Sequence, residues 1–356
     1  MNQSLNKKLL SFRRVSLYTV IAVFFLIWVG GLVRSTGSGM GCPDWPMCFG
    51  QVIPPTSVDQ LPDNYQEIYL EKRLAKNERF VASLNRIGLS DTAEKIANDK
   101  SILIEEEFNA TKTWIEYVNR LIGVVIGFLI ILTVWKSFPM WNVDKRITVG
   151  AIASLILVLF QGWIGSLVVS TNLIPWMITF HMMLALLLAG LLIWIFHLSN
   201  RLMGRDSVKM DVPSKVEWLL IAGIVLMLIQ IVLGTQVREQ IDAVATSLGY
   251  MLRDTWVEES GLIFLIHRSF SLSILIVHVL YFIMAFKYTL RNSQINLWSQ
   301  VLMALILLEI ATGMGMAYFG IPAFLQPFHL LIGCLITGVQ VLLYLQIRDN
   351  RQFSLK

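Results

Sequence analysis

Eight apolar runs, each about as long as a bilayer is thick, constrain this chain more than any other feature. They cover roughly residues 16–34, 115–135, 147–169, 178–197, 216–236, 262–286, 297–319 and 325–346. A helix needs about 20 residues to cross a hydrocarbon core. No water reaches backbone polar groups there, so each run must satisfy them internally, as a helix. Of the 356 residues, 55% are hydrophobic and 15% charged, too apolar a mixture for a soluble core to hide. The expected fold class is an all-α integral membrane protein with eight transmembrane helices. Lys7, Lys8, Arg13 and Arg14 give the first run the flank of a signal peptide, but it is too long for a typical signal core and is kept as a helix.

Lysine and arginine fix the expected orientation. They gather in the N-terminal arm, after the second run (Lys136, Lys145, Arg146), after the fourth (Arg201, Arg205, Lys209, Lys215), after the sixth (Lys287, Arg291) and at the C-terminus (Arg348, Arg351, Lys356). The alternate loops 170–177 and 320–324 carry none. Both termini are therefore expected in the cytoplasm, with the protein in the inner membrane. The net charge of +5 reflects this bias and implies no nucleic-acid partner. Trp114, Trp135, Trp141, Trp176, Trp194, Trp218 and Trp298 fall near span ends, where an interfacial belt places them.

One large polar segment, about residues 36–112, separates the first two spans on the outer side. Its second part, Asn64 to Glu107, has Glu and Lys/Arg often three or four apart and reads as a solvated helical cap. Cys42 and Cys48 lie in its first part. Five residues with two prolines stand between them, and the outer compartment permits disulfides, so a small structural ring is expected. Cys334 falls inside the last run and is expected to be inert.

An internal repeat runs through the chain. Asn119 and His181 are 62 residues apart, as are His267 and His329, and the second pair follows the first by 148. Gly165 and Gly313 keep the same offset. The first span ends Gly31-Leu-Val-Arg34 and the fifth Gly234-Thr-Gln-Val-Arg238. This reads as two repeated four-helix bundles, residues 1–205 with the large loop and residues 206–356. Asn119, His181, His267 and His329 all fall at the outer ends of their spans. Imidazoles facing each other across a helical bundle can hold haem iron, and ionisable residues inside a membrane default to function. His197 and His278 fall off the grid and read as structural. Arg34, Arg120, Arg238 and Arg268 stand at outer helix ends, against the positive-inside trend. They read either as partners for haem propionates or as snorkelling side chains. Glu116 shares a helix face with Asn119 and Arg120, and its counterpart is Phe264. It reads either as an i,i+4 ion pair or as a proton-handling carboxylate in one half only.

These residues also resemble a known family. Gly30-Gly-Leu-Val-Arg-Ser-Thr-Gly-Ser-Gly39, followed by Cys42-Pro-Asp-Trp-Pro-Met-Cys-Phe-Gly50, is similar to the signature of haem A synthase. So are Glu116-Tyr-x-x-Arg120, His267-Arg268 and Gln326-Pro-Phe-His329. The resemblance covers nearly all eight spans and leaves out much of 55–110. It implies an oxidoreductase that converts the C8 methyl of haem O to the formyl of haem A for cytochrome oxidase assembly. It implies haem b in the C-terminal half, ligated by His267 and His329 with Arg238 and Arg268 nearby. The substrate haem would lie in the N-terminal half near His181, Asn119, Arg34 and Arg120, with Glu116 catalytic. Expected partners are haem O, membrane lipid, haem O synthase and an electron donor, and an oligomer is compatible with the sequence. Asn119 departs from the pattern, which has histidine there. The expectation is that His181 is the sole protein ligand and one face of the substrate iron stays open. The alternatives are a dihaem electron-transfer cytochrome, which Asn119 disfavours, and a non-catalytic haem-binding assembly factor.

Overall fold

The computed structural model describes residues 3–99, 103, 107–204 and 212–354, the last four of these in backbone only. The half boundary expected at 205/206 lies outside the described residues, as do Arg205, Lys209, Lys356 and the Arg351 side chain. Eleven α-helices are described: α1 (Gln3–Ser35), α2 (Tyr65–Arg86), α3 (Ser90–Ala97), α4 (Ala110–Ser137), α5 (Lys145–Ser170), α6 (Pro175–Leu202), α7 (Ser214–Ser247), α8 (Trp256–Glu259), α9 (Gly261–Tyr288), α10 (Gln294–Tyr318) and α11 (Leu325–Ser354). Eight of them, all but α2, α3 and α8, are long and apolar enough to cross a membrane, and each contains one of the eight apolar runs. Among the described residues there is no strand, only an isolated bridge between Cys48 and Gln51. The chain is an all-α, multi-pass membrane protein.

Local chemistry explains several helix ends. Pro175 opens α6 at its first position, where a missing N–H costs nothing. Ser293 caps α10 by accepting from the Asn296 N–H at 3.2 Å. The turns after α5 and α10 share one design. Asn172 and Leu173 are left-handed, as are Gly320 and Ile321, which stand 148 residues later. Leu173 N–H bonds Val168 O at 2.9 Å, and Ile321 N–H bonds Met316 O at 2.9 Å. Ile321 is β-branched, for which this backbone region is a true outlier.

The chain divides into two compact units. The first contains Met1–Gly31, Ile126–Val158 and Met183–Lys356. In it α7 packs on α9 and α11, and α10 packs on α9 and α11, around Leu220, Met227, Ile274, Leu302, Ile336 and Leu343. Helices α1 and α6 meet α11 at Gly338, where a Cβ would stand only 2.7 Å from Phe24 Cζ and 3.2 Å from Ile193 Cδ1. Lipid tails give apolar helices no hydrophobic reason to associate, so such close packing and polar links must do it. The links are His197 Nε2 to Asp349 Oδ2 at 2.9 Å, Arg201 to Asp349 at 3.4 Å, and Arg13 Nε donating to Asn200 Oδ1 at 2.6 Å. His278 is buried between Ile274 O (2.7 Å) and Gln340 Nε2 (2.6 Å). Both off-grid histidines thus hold helices together.

The second unit contains Leu32–Val125 and Leu159–Met182. Here one face of the expected solvated cap is docked. Asn77 Nδ2 donates to Ser170 O at 2.7 Å and Lys76 Nζ to Ser166 O at 2.9 Å, covering the last carbonyls of α5. Arg73 and Asn77 are buried. Burial, with the neighbouring Arg120 charge, holds the Lys76 amine below its ordinary value. Leu84, Ala93 and Ile96 join α2 to α3 and reach Ile174 in the turn after α5. Phe49 meets Tyr65, Tyr69 and Phe108 edge-on, beside the buried Cys42 and Cys48.

Candidate functional site

Two groups of residues carry the expected chemistry, one in each unit. In the second unit, α4 presents Glu116, Asn119 and Arg120 on one face. Glu116 is 4% exposed. It pairs with Arg120, and its Oε2 accepts the Cys42 N–H at 2.8 Å. Arg120 also donates to Asp44 O (2.6 Å), Met47 O (2.9 Å) and Cys42 O (3.0 Å). The Cys42–Cys48 disulfide is formed, and the Thr113 hydroxyl ties Gly41 O to α4 at 2.8 Å. The i,i+4 ion pair with Arg120 is thus formed, and Glu116 is buried in it. It is a buried member of a network that clamps the disulfide loop onto α4. Arg120, expected to meet a propionate, directs its two terminal nitrogens to that loop and to Glu116. Arg34 is half-buried near the end of α1.

The counterpart pair in α9 has no acid. Arg268 lies over the Phe264 ring at 5.9 Å, so a cation–π contact replaces the ion pair. Arg238 pairs with Asp242 at 2.8 Å and donates to Gln326, three residues before His329.

Each grid histidine rests against a glycine of the membrane span before it. A Cβ on Gly165 would lie 3.6 Å from His181 Cε1, one on Gly234 3.2 Å from His267 Cε1, and one on Gly313 3.3 Å from His329 Cε1. A Cβ at Gly234 or Gly313 would press on the imidazole, and one at Gly165 would be in ordinary contact with it. Four residues before each glycine stands an amide or acid: Gln161, Gln230 and Glu309. Gln161 Nε2 donates to His181 O at 3.1 Å and Gln230 Nε2 to His267 O at 3.0 Å. Glu309 has no N–H to give and approaches the His329 ring, with Oε2 3.3 Å from Nδ1. The sequence reading missed these three seats. Their signal was a Gln or Glu four residues before a glycine in three spans.

The ring centres of His267 and His329 are 6.5 Å apart, with planes at 73°. Two metal–nitrogen bonds of about 2 Å each, plus about 1 Å from each ring centre to its edge, come to about 6 Å. The pair is thus spaced to take one metal atom between its rings. Among the described residues no group of three or more His, Cys, Asp or Glu gathers as a bare ion would need. The pair offers two imidazole donors. In the other unit, His181 Nδ1 and Asn119 Oδ1 are buried without a hydrogen-bond partner.

These observations define a multi-pass helical membrane protein with histidines seated inside its helix packing and a disulfide loop clamped over one buried acid. The chain belongs to the COX15-CtaA family of cytochrome oxidase assembly proteins, matching it over residues 13–78 and 89–341. It is similar to the heme A synthase of Shewanella oneidensis (20% identical, 67% of this chain, 61% of the relative). It is similar to that of Bartonella tribocorum (27% identical, 63% and 57%). It is also similar to that of Rickettsia rickettsii (23% identical, 92% and 96%). The match thus spans less than two thirds of the first two relatives and almost all of the third.

Proposed function

We propose that the chain is a haem A synthase, a membrane oxidoreductase that converts the C8 methyl of haem O to the formyl group of haem A. The relatives are named heme A synthases, and one of them aligns over 96% of its length. The observation that carries the haem reading is the His267–His329 pair at 6.5 Å. In this reading these histidines hold haem b, which supplies electron transfer when bound. Arg268 and Arg238 would pair with its propionates. The chain is read as two repeated bundles, 1–205 and 206–356. The shared turn after α5 and α10 and the glycine seats 148 residues apart support it.

Haem O is the substrate of the N-terminal half, with His181 as its protein ligand. Asn119, a weak donor to iron, leaves the opposite face open. Glu116 lies one turn from Asn119 and has an acceptor oxygen for a proton. Arg120 and the Cys42 N–H fix that carboxyl group, so it need not reorganise during reaction. The half that lacks the acid has Phe264 in its place, which suits a retained cofactor. The disulfide loop faces outside and both termini face the cytoplasm of the inner membrane, as the lysine and arginine distribution supports. Haem O synthase and an electron donor are its partners.

Extraction of bound haems after co-expression with a haem O source tests this. Haem A or hydroxylated haem is expected. Unmodified haem alone, from protein with both sites filled, would make the chain a carrier or an electron-transfer cytochrome.

A further inference from the structure

The three histidine seats are alike except at one atom. His181 Nδ1 and His267 Nδ1 are buried without a hydrogen-bond partner. His329 Nδ1 stands 3.0 Å from Thr312 Oγ1 and 3.3 Å from Glu309 Oε2. The Thr312 hydroxyl donates its one hydrogen to Glu309 O at 2.9 Å. Toward Nδ1 it can therefore only accept. With the hydroxyl hydrogen so placed, His329 carries its proton on Nδ1, which leaves the Nε2 lone pair free. Glu309 Oε2 makes no hydrogen bond of its own, so its carboxyl group stands beside the ring as a polar neighbour. Gly333, one turn beyond His329 on α11, leaves room for it, since a Cβ there would lie 3.1 Å from Glu309 Oε1. The positions 148 residues earlier hold Gln161 and Ile164, neither of which can do this.

We propose that Thr312 and Glu309 are positioning residues that lock His329 in its Nδ1–H tautomer and set the reduction potential of the haem it ligates. The proposal rests on the haem b reading above. An acceptor and a carboxyl group behind a ligating imidazole make its other nitrogen a stronger donor and favour the oxidised metal. His267, with no such partner, contributes no comparable pull. The device exists in one half only, and so it lowers the potential of the cofactor haem without touching the substrate haem.

The test is a redox titration of purified, haem-loaded protein, following the b-type signal that disappears in His329→Ala. Glu309→Gln keeps the shape and removes the acid, and Thr312→Val keeps the shape and removes the acceptor. Each should raise the midpoint. A tenfold shift in the oxidised-to-reduced ratio at fixed potential, about 59 mV for one electron, is the expected size for Glu309→Gln. Thr312→Ser restores the hydroxyl and should return the midpoint to its original value. If Glu309→Gln fails to hold haem, Thr312→Val and its serine rescue decide. Unchanged midpoints in the haem-loaded variants, with a signal that still needs His329, overturn this proposal alone. A b-type signal that survives His267→Ala and His329→Ala removes the ligand assignment, and this proposal with it.

Discussion

At the scale of single residues, the asymmetry between the halves comes down to what stands beside each histidine position. Glu116 is buried, ion-paired and bonded to a backbone N–H, so replacing it has two separable effects. Removing its oxygens strands the Cys42 N–H, at about 1–3 kcal/mol. Glu116→Gln keeps one acceptor, which can still take the Cys42 N–H, and removes the acid. Its product yield should fall about 100-fold or more while bound haem stays near the original level. Equal loss of both would make Glu116 structural. The glycine seats make a second prediction. Gly313→Leu adds bulk 3.3 Å from the His329 ring, and overpacking of this kind costs about 1–3 kcal/mol. Roughly tenfold less haem should remain on the purified variant, read from its visible spectrum. Retention of full haem content would mean that the ring does not need its seat. The histidine grid was legible in the sequence because its spacing repeats and histidine is rare inside membranes. The seats were not, because glutamine and glycine are common in such helices. Only helix rotation tells which of them face a neighbour.

At the scale of elements, the eight spans were legible from hydropathy alone, since length and composition fix them. The docked face of α2 was not. Its sequence is charged throughout and reads as solvated, yet Asn77 and Lys76 reach the last carbonyls of α5. A helix end that carries unsatisfied carbonyls attracts cations and donors, a demand made by α5 and invisible in α2. Lys76 provides the pH handle. Its folded pKa is lowered, first by burial and then by Arg120. The folded state therefore binds fewer protons than the unfolded one between that lowered value and the ordinary 10.5. Stability rises with pH across this window, and the full cost of the buried charge is present below it. Thermal midpoints of purified protein should climb from neutral toward alkaline pH, and Lys76→Met should flatten the slope. An identical slope in the variant would show that Lys76 does not titrate with folding. Asn77→Ala, which removes one donor and leaves Ser170 O uncovered, should speed protease cleavage within residues 65–97 without changing haem content.

At the scale of the whole molecule, a repeat need not mean independent halves. α1 and α6 come from the first half of the sequence and α11 from the second, and they meet in one compact unit. Gly338 lets Phe24 and Ile193 approach α11 closely. His197 and Arg201 on α6 both reach Asp349 on α11. Removing Asp349 strands the buried His197 ring nitrogen, a loss of about 1–3 kcal/mol. In a membrane, where lipid is as good a solvent for apolar side chains as another helix, contacts of this kind decide association. Expressing residues 1–204 and 212–356 as two chains in one cell should therefore give a complex, with the untagged piece following the tagged one through mild-detergent purification. Gly338→Leu drives side-chain atoms into Phe24, and Asp349→Ala cuts the polar link. Together they should release the untagged piece, while either change alone should weaken recovery only in part, because the two contacts lie three turns apart on α11. Recovery of the tagged piece alone from the unmodified pair would show that the halves are held by the connecting chain and not by this helix interface.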